Sequence, residues 1–324
     1  MQNHVLGRPW SRPNGRCSVR PLAAADRLVI VLLLSQAMAV GLGAQPATPA
    51  AVNRQPVADA DFAVIAAHFG YDRALPLEAA TIGAWPHRLP YTIEKVEFRS
   101  THGERVPAYF THPHDTTGAR HPAVLLLHGR NDFWGKNEDW ARDWMDILAR
   151  QGWCVLVADF YGYGERRPPG WVDPWEIGPW TGRQGTVQCV TDQRRGLDYL
   201  CSRPEVDTTR VALLGGSMGG YFGTLVAGLE TRFAAVVLTV TGAWPLEVST
   251  DDPVGRFAHT LNFAPRISAP VLMVNATGDG REGGEQLFRA MPEPRRQIWY
   301  ESEHYLPPRQ YCDDILAWLG ERLR

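Results

Sequence analysis

Cysteine is scarce, with five in 324 residues and none arranged as C-x-x-C. That spacing serves thioredoxin-like redox pairs and compact zinc sites, so neither chemistry is indicated. An excess of one charge is also missing. The 33 Lys and Arg nearly match the 35 Asp and Glu, leaving a net charge of −2. The basic residues are scattered, which is not the electrostatic footprint of a nucleic-acid binder. There is no G-x-x-x-x-G-K-[ST] phosphate loop, and no internal repeat. A long apolar run is lacking too. The stretch from Leu28 to Gly43 has 16 residues and includes Ser35 and Gln36, short of the roughly 20 that a membrane span needs.

That stretch has a different reading. Arg8, Arg12, Arg16, Arg20 and Arg27 precede LVIVLLL, and small residues follow. Basic region, short apolar segment and small-residue site are the order of a secretory signal, with cleavage expected after Ala39 or Ala44. The alternative is a retained membrane anchor. Removing residues 1–44 takes away five arginines and Asp26, moving the net charge from −2 to −6. The expected location is therefore secreted or periplasmic. Export would permit disulfides among Cys154, Cys189, Cys201 and Cys312, but four thiols allow three pairings and the sequence does not choose. Cys154, inside GWCVLVADF, reads as a buried small hydrophobe.

With 44% hydrophobic and 21% charged residues the rest is ordinary for a globular protein with a sizeable core. Residues 45–60 are rich in Ala, Pro and Gln and read as a flexible lead-in, followed by one catalytic domain over 61–324. ADFAVIAAHFGYD carries apolar residues at helical spacing and is expected to form a short docking helix. YTIEKVEFRS and RVPAYFTH, separated by THGE, predict an antiparallel hairpin. Then come PAVLLLH, GWCVLVADF, RVALLG, AAVVLTVT and APVLMVN, each followed by helical or loop sequence. Continuous apolar runs alternating with helices imply an α/β fold, its central sheet mostly parallel and covered on both faces. Helices are predicted over 138–150, 184–202, 218–230, 282–291 and 310–322.

The chemistry gathers around LLGGSMGG. Gly215-Gly216-Ser217-Met218-Gly219 matches G-x-S-x-G between a predicted strand and a predicted helix. On such a turn a serine is held out at the carboxyl edge of the sheet. Its neighbours two residues away must be tiny, because strand and helix converge there. A glycine-rich turn can instead hold a phosphate. A serine hydroxyl is a weak nucleophile unless a base takes its proton. APVLMVNATGD supplies Asp279 just beyond one strand, and IWYESEH supplies His304 just beyond another. The chain order Ser217, Asp279, His304 fits a triad in which Asp279 orients the imidazole and His304 moves the proton. Asp251 and Asp252 are reserve acids, with Glu301 and Glu303 weaker ones. For the oxyanion, the backbone N–H groups of Met218 and of Arg130, in LLLHGRND, are the expected donors. His128 reads as an anchor of that loop.

LLLHGRND, VLVADFYGYGERR, VALLGGSMGG, PVLMVNATGD and SEH, in that order, resemble the alpha/beta-hydrolase superfamily. Within it, DQRRGLDYLCSRPEVDTTRVALLGGSMGG and GYGERR resemble the dienelactone-hydrolase and acetyl-xylan-esterase-like serine hydrolases. The resemblance covers about residues 60–324. It implies the alpha/beta-hydrolase fold, a mostly parallel sheet with an antiparallel N-terminal hairpin, and a carboxylic-ester hydrolase using Ser217, Asp279 and His304 without cofactor or metal. Two positions depart from the pattern: Glu303 stands where a glycine usually precedes the histidine, and the proline often following the acid's loop is replaced around Gly283. Serine rather than cysteine as nucleophile argues against dienelactone hydrolysis itself, and against a dehalogenase, which needs an aspartate.

Substrate choice is expected from two loops. Gly164 to Gly185 holds Trp171, Trp175 and Trp180 among four prolines. Rigid aromatics bordering a pocket suit apolar or sugar-ring surfaces, although they can equally pack the loop onto the body. Arg166 is a candidate contact for an acidic substrate group, or else a structural ion pair. The segment from Thr241 to Pro265 is too short for a large lid, and Trp244 at its start is a candidate wall of the acyl pocket. An uncovered site favours small or polymeric soluble esters, so the expected partner is a small-molecule or carbohydrate ester. A prolyl-oligopeptidase-like peptidase is the enzymatic alternative, and a silent binding protein on the same fold the other. His112, His114 and His121 lack a supporting acidic cluster, and the Asn275-Ala276-Thr277 sequon lies at the end of a predicted buried strand.

Overall fold

The computed structural model describes residues 55–85, 89–114, 117–244 and 256–324. The expected signal sequence, all but the last residues of the lead-in, and the reserve acids Asp251 and Asp252 lie outside them. The compact unit runs from Pro56 to Arg324.

Nine strands form one sheet: β1 (Ala80–Trp85), β2 (Tyr91–Arg99), β3 (Arg105–Pro113), β4 (His121–Leu127), β5 (Cys154–Ala158), β6 (Val206–Gly216), β7 (Ala235–Thr239), β8 (Val271–Ala276) and β9 (Arg295–Tyr300). Their spatial order is β1-β2-β3-β5-β4-β6-β7-β8-β9. The first three strands are antiparallel, β3 pairs antiparallel with β5, and β5 through β9 run parallel. Helices α1 (Asp59–Ala67), α2 (Asp139–Arg150), α3 (Pro179–Ser202), α4 (Met218–Leu229), α5 (Arg281–Ala290) and α6 (Pro308–Arg322) flank it. This is the alpha/beta-hydrolase architecture with its antiparallel N-terminal strands.

The central parallel strands carry continuous buried apolar runs because helices leave them no wet face, whereas β9 (RRQIWY) at the sheet edge is partly exposed. Val155, Leu156 and Val157 of β5 and Val236, Val237 and Leu238 of β7 are all fully buried. Helix α2 meets the sheet with Ala141, Trp144, Met145, Leu148 and Ala149, the i, i+3, i+4, i+7, i+8 stripe of an amphipathic helix. Helix α1 docks as expected: Phe62 sits edge-on to Phe263 at 5.3 Å.

Two features differ from expectation. Strand β1 was not predicted. ATIGAW lies at the sheet edge, its residues exposed on both faces, with an irregular register between Thr81 and Gly83. A strand without a buried face carries no alternation to read. Helix α3 begins at Pro179 rather than Gln184. Proline suits the first helical position, and Gly178 before it takes a φ of 153°. The substrate loop is correspondingly shorter, and Trp180 falls on the first turn of the helix.

Candidate active site

Ser217 stands between β6 and α4 with φ 55° and ψ −116°, a conformation that costs a non-glycine residue energy and recurs at functional sites. The glycines around it are required by close approach. A β-carbon on Gly215 would collide with the carbonyl oxygen of Gly219, and one on Gly219 with the carbonyl oxygen of Leu127 at the end of β4. Three elements thus converge on one turn. The Ser217 N–H donates to Thr239 O at 2.9 Å, tying the elbow to the end of β7.

The structure brings the three expected residues together. His304 Nδ1 lies 2.9 Å from each oxygen of Asp279, and His304 Nε2 lies 3.0 Å from Ser217 Oγ. A carboxylate only accepts, so Nδ1 carries the proton and Nε2 is free to accept from the serine hydroxyl. Asp279 ends the turn Thr277–Asp279 directly after β8, and His304 lies in the loop between β9 and α6. These turns touch: the Gly278 N–H donates to Ser302 O at 2.9 Å. The His304 side chain is 46% exposed, so the centre opens to solvent. The arrangement can take a proton from Ser217 while holding the resulting imidazolium against a carboxylate.

Met218 is the first residue of α4, so its N–H has no intrahelical acceptor and lies at the positive end of the helix dipole. The loop after β4 is anchored from inside. His128 is buried, its Nε2 accepting the Phe160 N–H at 3.2 Å and its Nδ1 donating to Gly129 O at 2.7 Å. Desolvation lowers its pKa to about 4, opposed by Asp159 and the Gly129 carbonyl, so the ring is neutral near neutral pH. Lys136, fully buried, closes the far end of the loop with Nζ 2.6 Å from both Asp159 and Glu165.

The expected substrate residues divide. Arg166 is a structural residue rather than a free cation: only 5% exposed, it pairs with Asp192 at 2.6 Å and Glu104 at 2.9 Å. Trp175 packs against the core and donates to Thr186 Oγ1. Trp171 stacks edge-on to Tyr161 and donates to Asp173. It also lines a cleft of about 440 Å³ with Tyr161, Pro168, Ile177, Thr181 and Gln184. Trp180 and Trp244 are exposed. So are Phe133, Trp134 and Tyr305, which the sequence reading passed over although they directly follow HGRND and His304. Asn275 is buried, donating to Thr241 O and accepting from Gln297, and leaves no room for a glycan. His112 faces Glu94 at 3.3 Å. Cys154, Cys189 and Cys201 are free thiols, so none of them takes part in a disulfide.

The sequence model of the dienelactone hydrolase family matches residues 106–288, the span from β3 to α5 that includes Ser217 and Asp279. Among curated proteins, the putative hydrolase YtaP of Bacillus subtilis is 30% identical over 178 residues, 48% of this chain and 59% of that protein. Dipeptidyl-peptidase 5 of Schizosaccharomyces pombe is 26% identical over 160 residues, 46% of this chain and 21% of that protein. The matches thus span about three fifths and one fifth of those relatives' lengths. Among solved structures, acetyl xylan esterase 1 from Thermoanaerobacterium sp. superposes with a TM-score of 0.66 at 18% identity, covering 85% of this chain and 96% of that one. At that identity the likeness is one of fold.

Proposed function

The chain belongs to the dienelactone hydrolase family, and on that premise we propose that it is a serine hydrolase cleaving carboxylic esters through an acyl-enzyme on Ser217. The observation that carries this reading is the connected path Asp279–His304–Ser217, with the serine on a strained elbow. His304 takes the Ser217 proton as Oγ attacks the ester carbonyl. The backbone N–H groups of Met218 and Arg130 stabilise the oxyanion. His304 then protonates the departing alcohol and afterwards activates water, which releases the acid. Asp279 holds the ring with Nδ1–H inward and balances its charge.

The open centre and the aromatic residues on loops following β4, β5, β7 and β9 support small acyl groups, acetyl above all, on alcohols that present a ring or a carbohydrate surface. An acetyl esterase of Xylanibacter ruminicola, 30% identical and matched over 26% of this chain, is among the curated relatives, and esterase names recur among the solved structures of like fold. The basic and apolar order of residues 8–34 supports export, so we place the reaction outside the cytoplasm. Peptidase is the second reading, favoured by the dipeptidyl-peptidase match, yet this chain corresponds to only 21% of that protein. Turnover of p-nitrophenyl acetate and butyrate against short prolyl amides tests the choice. Ester turnover should dominate; faster amide cleavage would make the protein a peptidase.

A further inference from the structure

Glu138 has no part in the proton path, yet its side chain turns back onto the loop that follows β4. Its Oε1 accepts the Gly129 backbone N–H. A β-carbon on Gly129 would lie 3.1 and 3.3 Å from the two carboxylate oxygens, so glycine lets the acid close on the backbone. Across the same Cα, the Gly129 carbonyl accepts from His128 Nδ1 at 2.7 Å. These two bonds hold the two peptide planes that flank Gly129, one through its N–H and one through its C=O. Glycine is otherwise the residue with the widest backbone freedom, and the clamp removes that freedom from both sides.

The second of these planes also carries the Arg130 N–H. In a trans peptide the N–H points opposite to the C=O, so fixing the Gly129 carbonyl on His128 fixes where the Arg130 N–H points. The loop also abuts the elbow, because the carbonyl oxygens of Leu127 and His128 crowd the Cα of Gly219 in the first turn of α4. Glu138 itself is held by the start of α2, where its backbone carbonyl accepts the Arg142 N–H at 3.1 Å. The latch is therefore mounted on a helix rather than on the loop it restrains.

We propose that Glu138 is a positioning residue of the oxyanion hole: by holding the Gly129 N–H it fixes the first of the two planes, from which the His128–Gly129 hydrogen bond sets the second and keeps the Arg130 N–H aimed at the tetrahedral intermediate. This rests on the reading of Ser217 as nucleophile and Arg130 N–H as donor. Burial raises the Glu138 pKa to about 7, with the Gly129 N–H acting downward and Asp139 upward. The other titratable and charged groups at this loop are His128, held neutral across Gly129, Arg130, paired with Asp132 and Asp173, Asp132, paired also with Arg167, and Lys136, committed to Asp159 and Glu165. Near neutrality the latch thus changes between a carboxylate and a carboxylic acid, and the charged form is the stronger acceptor.

The test compares the full-length protein with Glu138→Ala and Glu138→Gln, measuring kcat and KM for p-nitrophenyl acetate between about pH 5.5 and 9. Glu138→Ala should lower kcat about tenfold or more with KM within about twofold, because the oxyanion donors act in the transition state. Its affinity for a simple boronic acid should fall in parallel. Glu138→Gln keeps a neutral acceptor, so it should stay within about threefold of wild type at pH 8. Its acid limb should differ from that of the wild type, since an amide at position 138 takes up no proton in this range. An unchanged kcat in Glu138→Ala would overturn the proposal. So would equal losses in both variants with an unaltered pH profile, which would mark Glu138 as merely structural. Wild-type turnover that survives Ser217→Ala would instead sink the proposed function on which this stands.

Discussion

Gly278 and Glu303 meet where the two loops that carry the acid and the base cross. A β-carbon on Gly278 would lie 2.8 Å from the Cα of Glu303 and 2.7 Å from its Oε2. Gly278 precedes Asp279 and Glu303 precedes His304, so the contact sets the spacing of the acid and base themselves. Where this sequence puts glutamate before the histidine, the glycine before the aspartate supplies the missing room. Gly278→Ala should therefore push the loops apart and lower kcat about tenfold or more, as misplacing a reacting group does, while leaving the thermal midpoint within a few degrees. Steady-state kinetics beside thermal unfolding check it; unchanged kcat would show that the loops adjust freely.

Both oxygens of Asp279 lie 2.9 Å from His304 Nδ1. Asp279→Asn should keep the fold and lower kcat by about a thousandfold or more, since an amide no longer enforces the Nδ1–H tautomer or balances the imidazolium. A variant close to wild type would hand the role to another acid, and Asp251 and Asp252 would become the residues to replace.

The buried pair Lys136–Asp159 gives a stability prediction. Both side chains are fully inaccessible, and Lys136→Met would leave Asp159 buried without its ammonium partner. Breaking a buried pair on one side typically costs about 3–5 kcal/mol. Urea denaturation should show a loss of that order, together with lower activity because the loop after β4 loses its far anchor. A loss below about 1 kcal/mol would mean that water reaches the site.

Acid stability should report His128. Folded, the ring stays neutral down to about pH 4, whereas in the unfolded chain it takes a proton near 6.5. Between these values the unfolded state binds the extra proton, so stability is full above about 6.5 and is lost as pH falls towards 4, by roughly 3 kcal/mol. The raised pKa of Glu138 acts in the opposite sense, stabilising at low pH and losing its effect as pH rises to about 7. The two offset each other in the wild type. Glu138→Gln exposes the His128 slope, and adding His128→Gln should flatten it; a slope that persists in the double variant would assign it elsewhere.

Much of this was legible in the sequence because local chemistry dictated it. LLGGSMGG demands an elbow, the fully apolar runs of β4 through β8 demand a two-sided cover, and Asp279 and His304 each follow a strand end. What was not legible depends on tertiary contact. Glu138 lies nine positions from the Gly129 N–H that it accepts, and no spacing rule links them. Arg166 sits in a loop yet is enclosed by Asp192, 26 positions away, and Glu104, 62 away, so its burial is invisible locally. β1 lacked a pattern because neither face is buried.

The central claim is that Ser217 forms the acyl-enzyme. Rapid quench of the protein with p-nitrophenyl acetate, followed by peptide mass mapping, tests it most directly. The account predicts an added acetyl group on Ser217 that vanishes in Ser217→Ala together with turnover. Undiminished turnover in Ser217→Ala, or an acetyl group mapped reproducibly to another residue, would contradict it.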